Sequence, residues 1–545
     1  MRKLHQIGLL IAFTCLATGV ASAQSFRVQC PNSTITHPAA LNDVEPAYTG
    51  PTTLSAPSAS TFQAPTANVN GAIKCQQISG GDGYATMGDG TQTYLFSFGP
   101  LSGLAKIASG QAGTDSPTEF NTINPPSNVL LPGDPATTDD PSGTSTPNLA
   151  SFTYNGAVGQ VPDLDNGGAI NGHVDPRQML DVGVMNGNIP APLMAIDEDD
   201  EYFLTLSNVG MIMRPDLFEQ HTVHFHGYPN ASAFYDGVPD ASVAINIGGS
   251  FTYYYLAPDA GTYFWHCHIT PPEHLQMGMV GQLYVRPRQD RVTGDLYTAL
   301  QNQQLDLRTA CPSSADTVHS DILCSNPLPA VNTGAAGAAT IRQGGTSGYA
   351  YNDGDGSTYY DVEYPIQIHG FDPNFHFVGM TFNPEGFADM KDKYFLLNGR
   401  SYPDTVKSGP LETQSSDGVN HFSQPLPSII NITAGQRALL RISDLDVSEY
   451  QTLASLGIPM HVVGYNAKLL RDQAGNNLDY YTNSITLGGG ESLDVILDSC
   501  AVRAVGGACT TTVPVGTYYL YTPNLDHLSN DAENFGGLMT EVHVN

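Results

Sequence analysis

Basic side chains are scarce in this 545-residue chain: 21 lysines and arginines stand against 52 aspartates and glutamates, giving a formal charge of −31 at pH 7. A polyanion such as nucleic acid calls for a basic surface, so that class of partner is excluded. The acidic excess is spread along the sequence, which fits a solubilising surface, and no function is built on it. Long stretches of helical periodicity are lacking too, while Gly (56) and Pro (38) are frequent. That balance predicts an all-β chain of short strands joined by turns. Beyond the start of the chain no apolar run approaches the ~20 residues needed to cross a bilayer as a helix.

The length predicts more than one domain. Residues 1–23 combine Arg2 and Lys3, the apolar run IGLLIAFTCLATGV and the small-residue site Ala21-Ser22-Ala23. This is the three-part pattern of a secretory signal peptide, so the mature protein is expected to begin near Gln24 and to be exported to the periplasm, the cell surface or the medium. Residues 24–179 read as a loop-rich N-terminal extension with some strands, such as TYLFSFG (93–99). Residues 180–300 tighten into short strands, among them EYFLTLSNV (201–209), SFTYYYLA (250–257), GTYFWHCH (261–268) and GQLYVRP (281–287). Residues 301–358 read as a linker or insertion, and 359–545 as a second β domain.

Cysteine is sparse and its count is informative. Cys15 falls in the leader, and six of the remaining seven form sequence-near pairs: Cys30 with Cys75, Cys311 with Cys324, and Cys500 with Cys509. These are expected disulfides of an oxidising compartment. Cys267 is left over, and an unpaired thiol in an exported protein is expected to be buried, catalytic or metal-bound.

Its neighbours are histidines. His221-Thr-Val-His224-Phe-His226-Gly precedes His266-Cys267-His268, which is followed by His274 and Met279. Alternate strand residues share a face, so His224 pairs with His226 and His266 with His268, while Cys267 points the other way. A thiolate, two imidazoles and a weak thioether are the ligand set of a blue (type 1) copper site, supplied here by Cys267, His221, His274 and Met279, with Met277 as the alternative thioether. The opposite face, with His224, His226, His266 and His268, suits further copper. Zinc is the competing metal, but it explains neither the downstream methionine nor the two-sided pattern.

HTVHFHG and HCHITPPEHLQMGM resemble the HxxHxHG and HCHx3Hx4M motifs of the multicopper oxidase family, the latter with two residues inserted before His274. KYFLLNGRSYPDTV, PSIINITAGQRALLRISDLD and PMHVVGYNAKLL resemble a copper-free domain of such oxidases. The resemblance implies tandem cupredoxin domains, that is, Greek-key β-sandwiches. It also implies a type 1 copper that takes electrons from a small-molecule or metal-ion donor, and a trinuclear cluster that reduces dioxygen. Asp236-Gly237 matches an acidic position that serves proton delivery in the family, so the expected catalytic residues are Cys267 and Asp236. The family's cluster uses eight histidines, four of them from a further pair of HxH motifs, and no other HxH occurs in this sequence. Two arrangements are open: a homo-oligomer facing two motif domains would supply the missing four, or the second site is reduced to a single copper or left empty. His369 and His376 are the best other candidates, ahead of His461 and His527. A blue-copper electron carrier and a nitrite-reductase-like copper reductase are the alternative functions.

Overall fold

Tyr253 and Tyr255 are buried while their neighbours Thr252, Tyr254 and Leu256 are half-buried, the period of a strand with one face in a core. This pattern recurs through the computed structural model, which describes residues 29–121, 187–292 and 348–545 apart from short gaps within those spans. The protein is mostly strand, as expected. The leader, the Cys311–Cys324 pair and most of the 301–358 stretch lie outside the described residues.

Two β-sandwiches follow one another. In the first, β1 (Ile73–Thr86), β2 (Gln92–Pro100), β4 (Glu201–Gly210) and β6 (Ser250–Leu256) form one sheet in the order β2-β1-β4-β6. The facing sheet has the order β3-β8-β7-β5, from β3 (Met194–Asp197), β5 (His224–Phe225), β7 (Gly261–His266) and β8 (Val280–Arg286). The parallel pairs β1–β4 and β8–β3 show that the sheets are not simple meanders. Phe96, Phe98, Leu204, Tyr253, Trp265 and Leu283 meet between the sheets in one apolar core.

Much of the stretch expected to be a loop-rich extension thus builds this sandwich. β1 was not expected as a strand because IKCQQISGGDGYAT offers no apolar alternation and three glycines. The glycines have a packing reason: a Cβ on Gly80 would lie 2.6 Å from the ring of His221. A Cys30–Cys75 disulfide ties the N-terminal segment to β1, and Cys500–Cys509 also forms, both as expected.

The second sandwich has a larger sheet of order β10-β9-β12-β17-β14-β15, built from β9 (Val362–Phe371), β10 (Tyr394–Leu397), β12 (Arg437–Asp444), β14 (Met460–Tyr465), β15 (Lys468–Leu469) and β17 (Ser492–Asp498). Against it packs a sheet of order β11-β19-β18-β13-β16, from β11 (Ile430–Ile432), β13 (Gln451–Leu456), β16 (Ser484–Leu487), β18 (Gly516–Tyr521) and β19 (Met539–Val544). Ile366, Ile368, Leu440, Ile442, Val495 and Val542 lie in the core between them.

The sandwiches share a polar seam. Thr262 Oγ1 donates to Asp494 at 2.6 Å, Ser492 Oγ donates to the Thr262 carbonyl at 2.6 Å, and Gln282 Nε2 donates to Ser443 at 2.7 Å. Arg441, fully buried, donates to Glu363 at 3.0 Å, and Glu363 also accepts from Arg286 at 2.8 Å. Removing one member of a buried charge network strands the others, at a typical cost of about 3–5 kcal/mol. Arg441→Met is therefore expected to lower stability by about 3 kcal/mol, read as a lower midpoint in urea unfolding. An unchanged midpoint contradicts a structural role for this network.

Candidate metal centre

β7 has two faces. Tyr263 and Trp265 point into the first core, while Phe264 joins Leu275, Val280 and Leu445 in a cluster at the seam. The strand ends at His266, so Cys267 and His268 lie just beyond it, where the sequence predicts strand through residue 268. Cys267 stays anchored: its N–H donates to the Met279 carbonyl at 3.1 Å, and the Thr222 N–H donates to its sulfur at 3.4 Å. The next turn is a short helix, α1 (Pro271–Gln276), whose early prolines suit a helix start and whose His274 turns back toward the thiol.

His221, Cys267 and His274 offer ligand atoms that all lie within 4.8 Å of one another. His274 Nδ1 is 3.3 Å from Cys267 Sγ, and the two imidazoles are 5.4 Å apart. All three side chains are buried, with Phe96 edge-on to His274 at 5.2 Å and Phe98 edge-on to His221 at 6.5 Å. Both ring nitrogens of His221, and Nε2 of His274, have no hydrogen-bond partner. Burial lowers the His221 pKa to about 3 and that of His274 well below the usual range, and it raises the Cys267 thiol to about 11. Neutral, desolvated imidazoles beside a thiol are what a soft cation would claim. Met279 and Met277 are both buried in the surrounding core, and the Met279 N–H donates to the His274 carbonyl at 2.8 Å.

Sequence reasoning missed Glu219. Its carboxylate stands 3.8 Å from His274 Nε2, is a quarter exposed, and has its pKa raised by burial against the opposing pull of Arg214. A lone acid in LFEQH carries no motif that would single it out.

The other face gathers His224, His226 and His266 within 4.8 Å. His268 stands beside them, its ring 5.1 Å from His224 and 5.5 Å from His266. His224 Nδ1 donates to the Asp236 carbonyl at 2.6 Å and His266 Nδ1 to the Cys267 carbonyl at 2.7 Å, which leaves Nε2 of each with a free lone pair. Nε2 of His266 and of His226 are 3.0 Å apart. Burial first, then the neighbouring imidazoles, lower His266 to about 3 and His226 to about 4. Asp236 meets His224 chiefly through its backbone, with its carboxylate 3.6 Å from Nδ1.

The other four candidate histidines are engaged elsewhere. His376 places its ring nitrogens 2.6 Å from the Tyr94 carbonyl and 3.0 Å from the Gln276 carbonyl, and His369 Nε2 bonds the Leu275 carbonyl at 3.1 Å. His461 pairs with Asp479, and His527 with Gln451 and Glu449. A third group of candidate ligands among the described residues is acidic, Glu45 with Asp197 and Asp200; Glu45 faces Lys74 at 2.8 Å and Arg291 at 4.0 Å, which fits a buried charge network.

Residues 170–290 match the family model described as multicopper oxidase, whose cofactor is copper. A laccase of Ustilaginoidea virens is 31% identical over 153 residues, which are 27% of this chain and 21% of that protein. A copper-containing nitrite reductase of Rhizobium meliloti is 33% identical over 114 residues, 20% of this chain and 27% of that protein. This chain therefore spans about a fifth to a quarter of the length of these relatives. The crystal structure of a blue copper oxidase from Nitrosomonas europaea superposes with a TM-score of 0.41 at 20% identity, over 66% of this chain and 78% of that one.

With the thiol near 11 and His221 near 3, the trio enters any complex at pH 7 as one thiol and neutral imidazole. Loading copper at the trio should release close to one proton, and affinity should rise about tenfold per pH unit through neutrality. Calorimetry in buffers of different ionisation enthalpy measures the proton count. No release contradicts a thiolate ligand.

Proposed function

We infer that this chain, whose residues 170–290 match the multicopper oxidase family, is a copper oxidoreductase with dioxygen as acceptor. The observation that carries this reading is the buried trio His221–Cys267–His274, with three ring nitrogens that have no hydrogen-bond partner, joined through Cys267 to two members of a second histidine cluster. His221, Cys267 and His274, with Met279, would hold type 1 copper. His224, His226, His266 and His268 would contribute to the second site. Bound copper would supply one-electron chemistry at the first site and dioxygen reduction at the second.

The chain's own residues divide the remaining work. Cys267 is covalently continuous with both His266 and His268, so the two clusters are linked by a few bonds of backbone. Glu219, partly exposed beside His274 Nε2, is placed to take the proton released when a donor is oxidised at that edge. Asp236, at the rim of the second cluster, is placed to supply protons for oxygen reduction. The donor is a small molecule or a metal ion.

The second cluster has half the histidines of the family's trinuclear site. A homo-oligomer in which two copies bring their clusters together would complete it. Export is supported by the leader-like start of the sequence and by the Cys30–Cys75 and Cys500–Cys509 disulfides, which form in oxidising compartments. The missing HxH pairs favour a second reading, an electron carrier in which only the Cys267 site works. A nitrite-reductase-like activity is disfavoured because His224 stands where the catalytic Asp of HxxDxH would be.

Two substitutions separate these readings. Cys267→Ser should abolish blue absorbance and all oxidase activity, and retained colour sinks the assignment. His266→Ala should keep the blue band while lowering oxygen consumption at least a hundredfold, on the order of losing one essential site element. Equal oxygen consumption favours the carrier.

A further inference from the structure

The second sandwich takes hold of the turn that carries His274. Helix α1 has six residues, too few to keep its shape without outside contacts. Its last residue, Gln276, is fully buried and uses both ends of its carboxamide. Nε2 donates to Asp392 Oδ1 at 3.0 Å, and Oε1 accepts the Asp372 N–H at 3.0 Å. A backbone N–H can only donate, so this pair of partners fixes which way the carboxamide faces. Asp372 and Asp392 are themselves tied together, because Asp372 Oδ2 accepts the Lys391 N–H at 2.7 Å. Ser448 Oγ also donates to Asp392, and Gly370 makes the room: a Cβ there would collide with the carboxylates of both Asp392 and Asp446. One residue back on α1, the Leu275 carbonyl accepts from His369 Nε2 at 3.1 Å. All of these partners belong to the second sandwich. Cys267 is placed instead by the end of β7 in the first, so the 3.3 Å between His274 Nδ1 and Cys267 Sγ spans two separate anchors.

We propose that Gln276 is a positioning residue for the first copper site: its carboxamide, clamped between Asp372 and Asp392, holds the α1 turn so that His274 keeps its place beside Cys267. The second sandwich thereby helps to set the geometry of a site whose ligands all come from the first. Buried partners beyond the ligands orient a ligating histidine and tune the metal it holds. The consequence for copper rests on reading the trio as a type 1 site; the clamp does not.

The test sets wild type beside Gln276→Leu, the reciprocal pair Gln276→Glu with Asp392→Asn, and Arg441→Met, all as full-length protein. Gln276→Leu keeps the bulk and loses both hydrogen bonds. In the reciprocal pair one carboxylate oxygen at 276 still accepts the Asp372 N–H, and the other accepts from the new carboxamide at 392. Arg441→Met removes a seam partner of Glu363 and controls for lost stability alone. In copper-free wild type, the side-chain amide protons of Gln276 should exchange with solvent on the order of a hundredfold more slowly than those of an exposed glutamine. With one equivalent of copper, Gln276→Leu should weaken the Cys267 site by about tenfold or more and shift the blue band. The reciprocal pair should restore both, and Arg441→Met should keep the wild-type band and affinity. Rapid exchange of the Gln276 amide in wild type overturns the proposal without recourse to any variant. A wild-type band and affinity in Gln276→Leu overturn it too, as does an equal loss in Arg441→Met or a reciprocal pair that restores neither. Wild type that takes no copper at Cys267 defeats the oxidase reading, and amide exchange then decides the clamp.

Discussion

Two imidazoles and a thiol are packed out of water against one another, and three of their four ring nitrogens have no hydrogen-bond partner. An unsatisfied buried polar group costs about 1–3 kcal/mol, and a whole domain is stable by only about 5–15 kcal/mol. A fold can carry such a cluster when a bound group offsets the cost, and binding energy then becomes folding energy. The surroundings are arranged to keep the trio both dry and close. Phe96 and Phe98 wall it on one side, Gly80 leaves room for the His221 ring, and the Met279 backbone ties Cys267 to the end of the α1 turn.

The same constraint shapes the strand that leads to the thiol. β7 is buried on both faces because one meets the first core and the other meets the second sandwich. His266 is on the second of these faces, so the histidine cluster forms where the sandwiches meet. A sandwich with no ligand motif of its own thus still meets the strand that carries the cluster, at Thr262 and Phe264.

The chemistry-bearing residues were legible because metal ligation demands particular side chains at fixed spacing. HTVHFHG and HCH could be read directly, and the structure brings His224, His226 and His266 together and places His221 with Cys267 and His274. Strands with a one-sided core, such as β6, were legible from their alternation. β1 was not, because a strand buried on both faces and thinned by glycine for close approach has no period to read. Glu219 was not legible either, since its relation to His274 is made by packing between segments. The seam charges of Arg441, Glu363 and Asp494 were hidden for the same reason: burial of a charge depends on its partners, which sequence order does not reveal.

The central claim is that His221, Cys267 and His274 form one copper site. X-ray absorption at the copper edge, on protein loaded with a single equivalent, tests it most directly. The account predicts one short copper–sulfur contact together with two imidazole nitrogens, and loss of the sulfur contact in Cys267→Ser. A first shell of nitrogen and oxygen alone in the wild-type protein would contradict it.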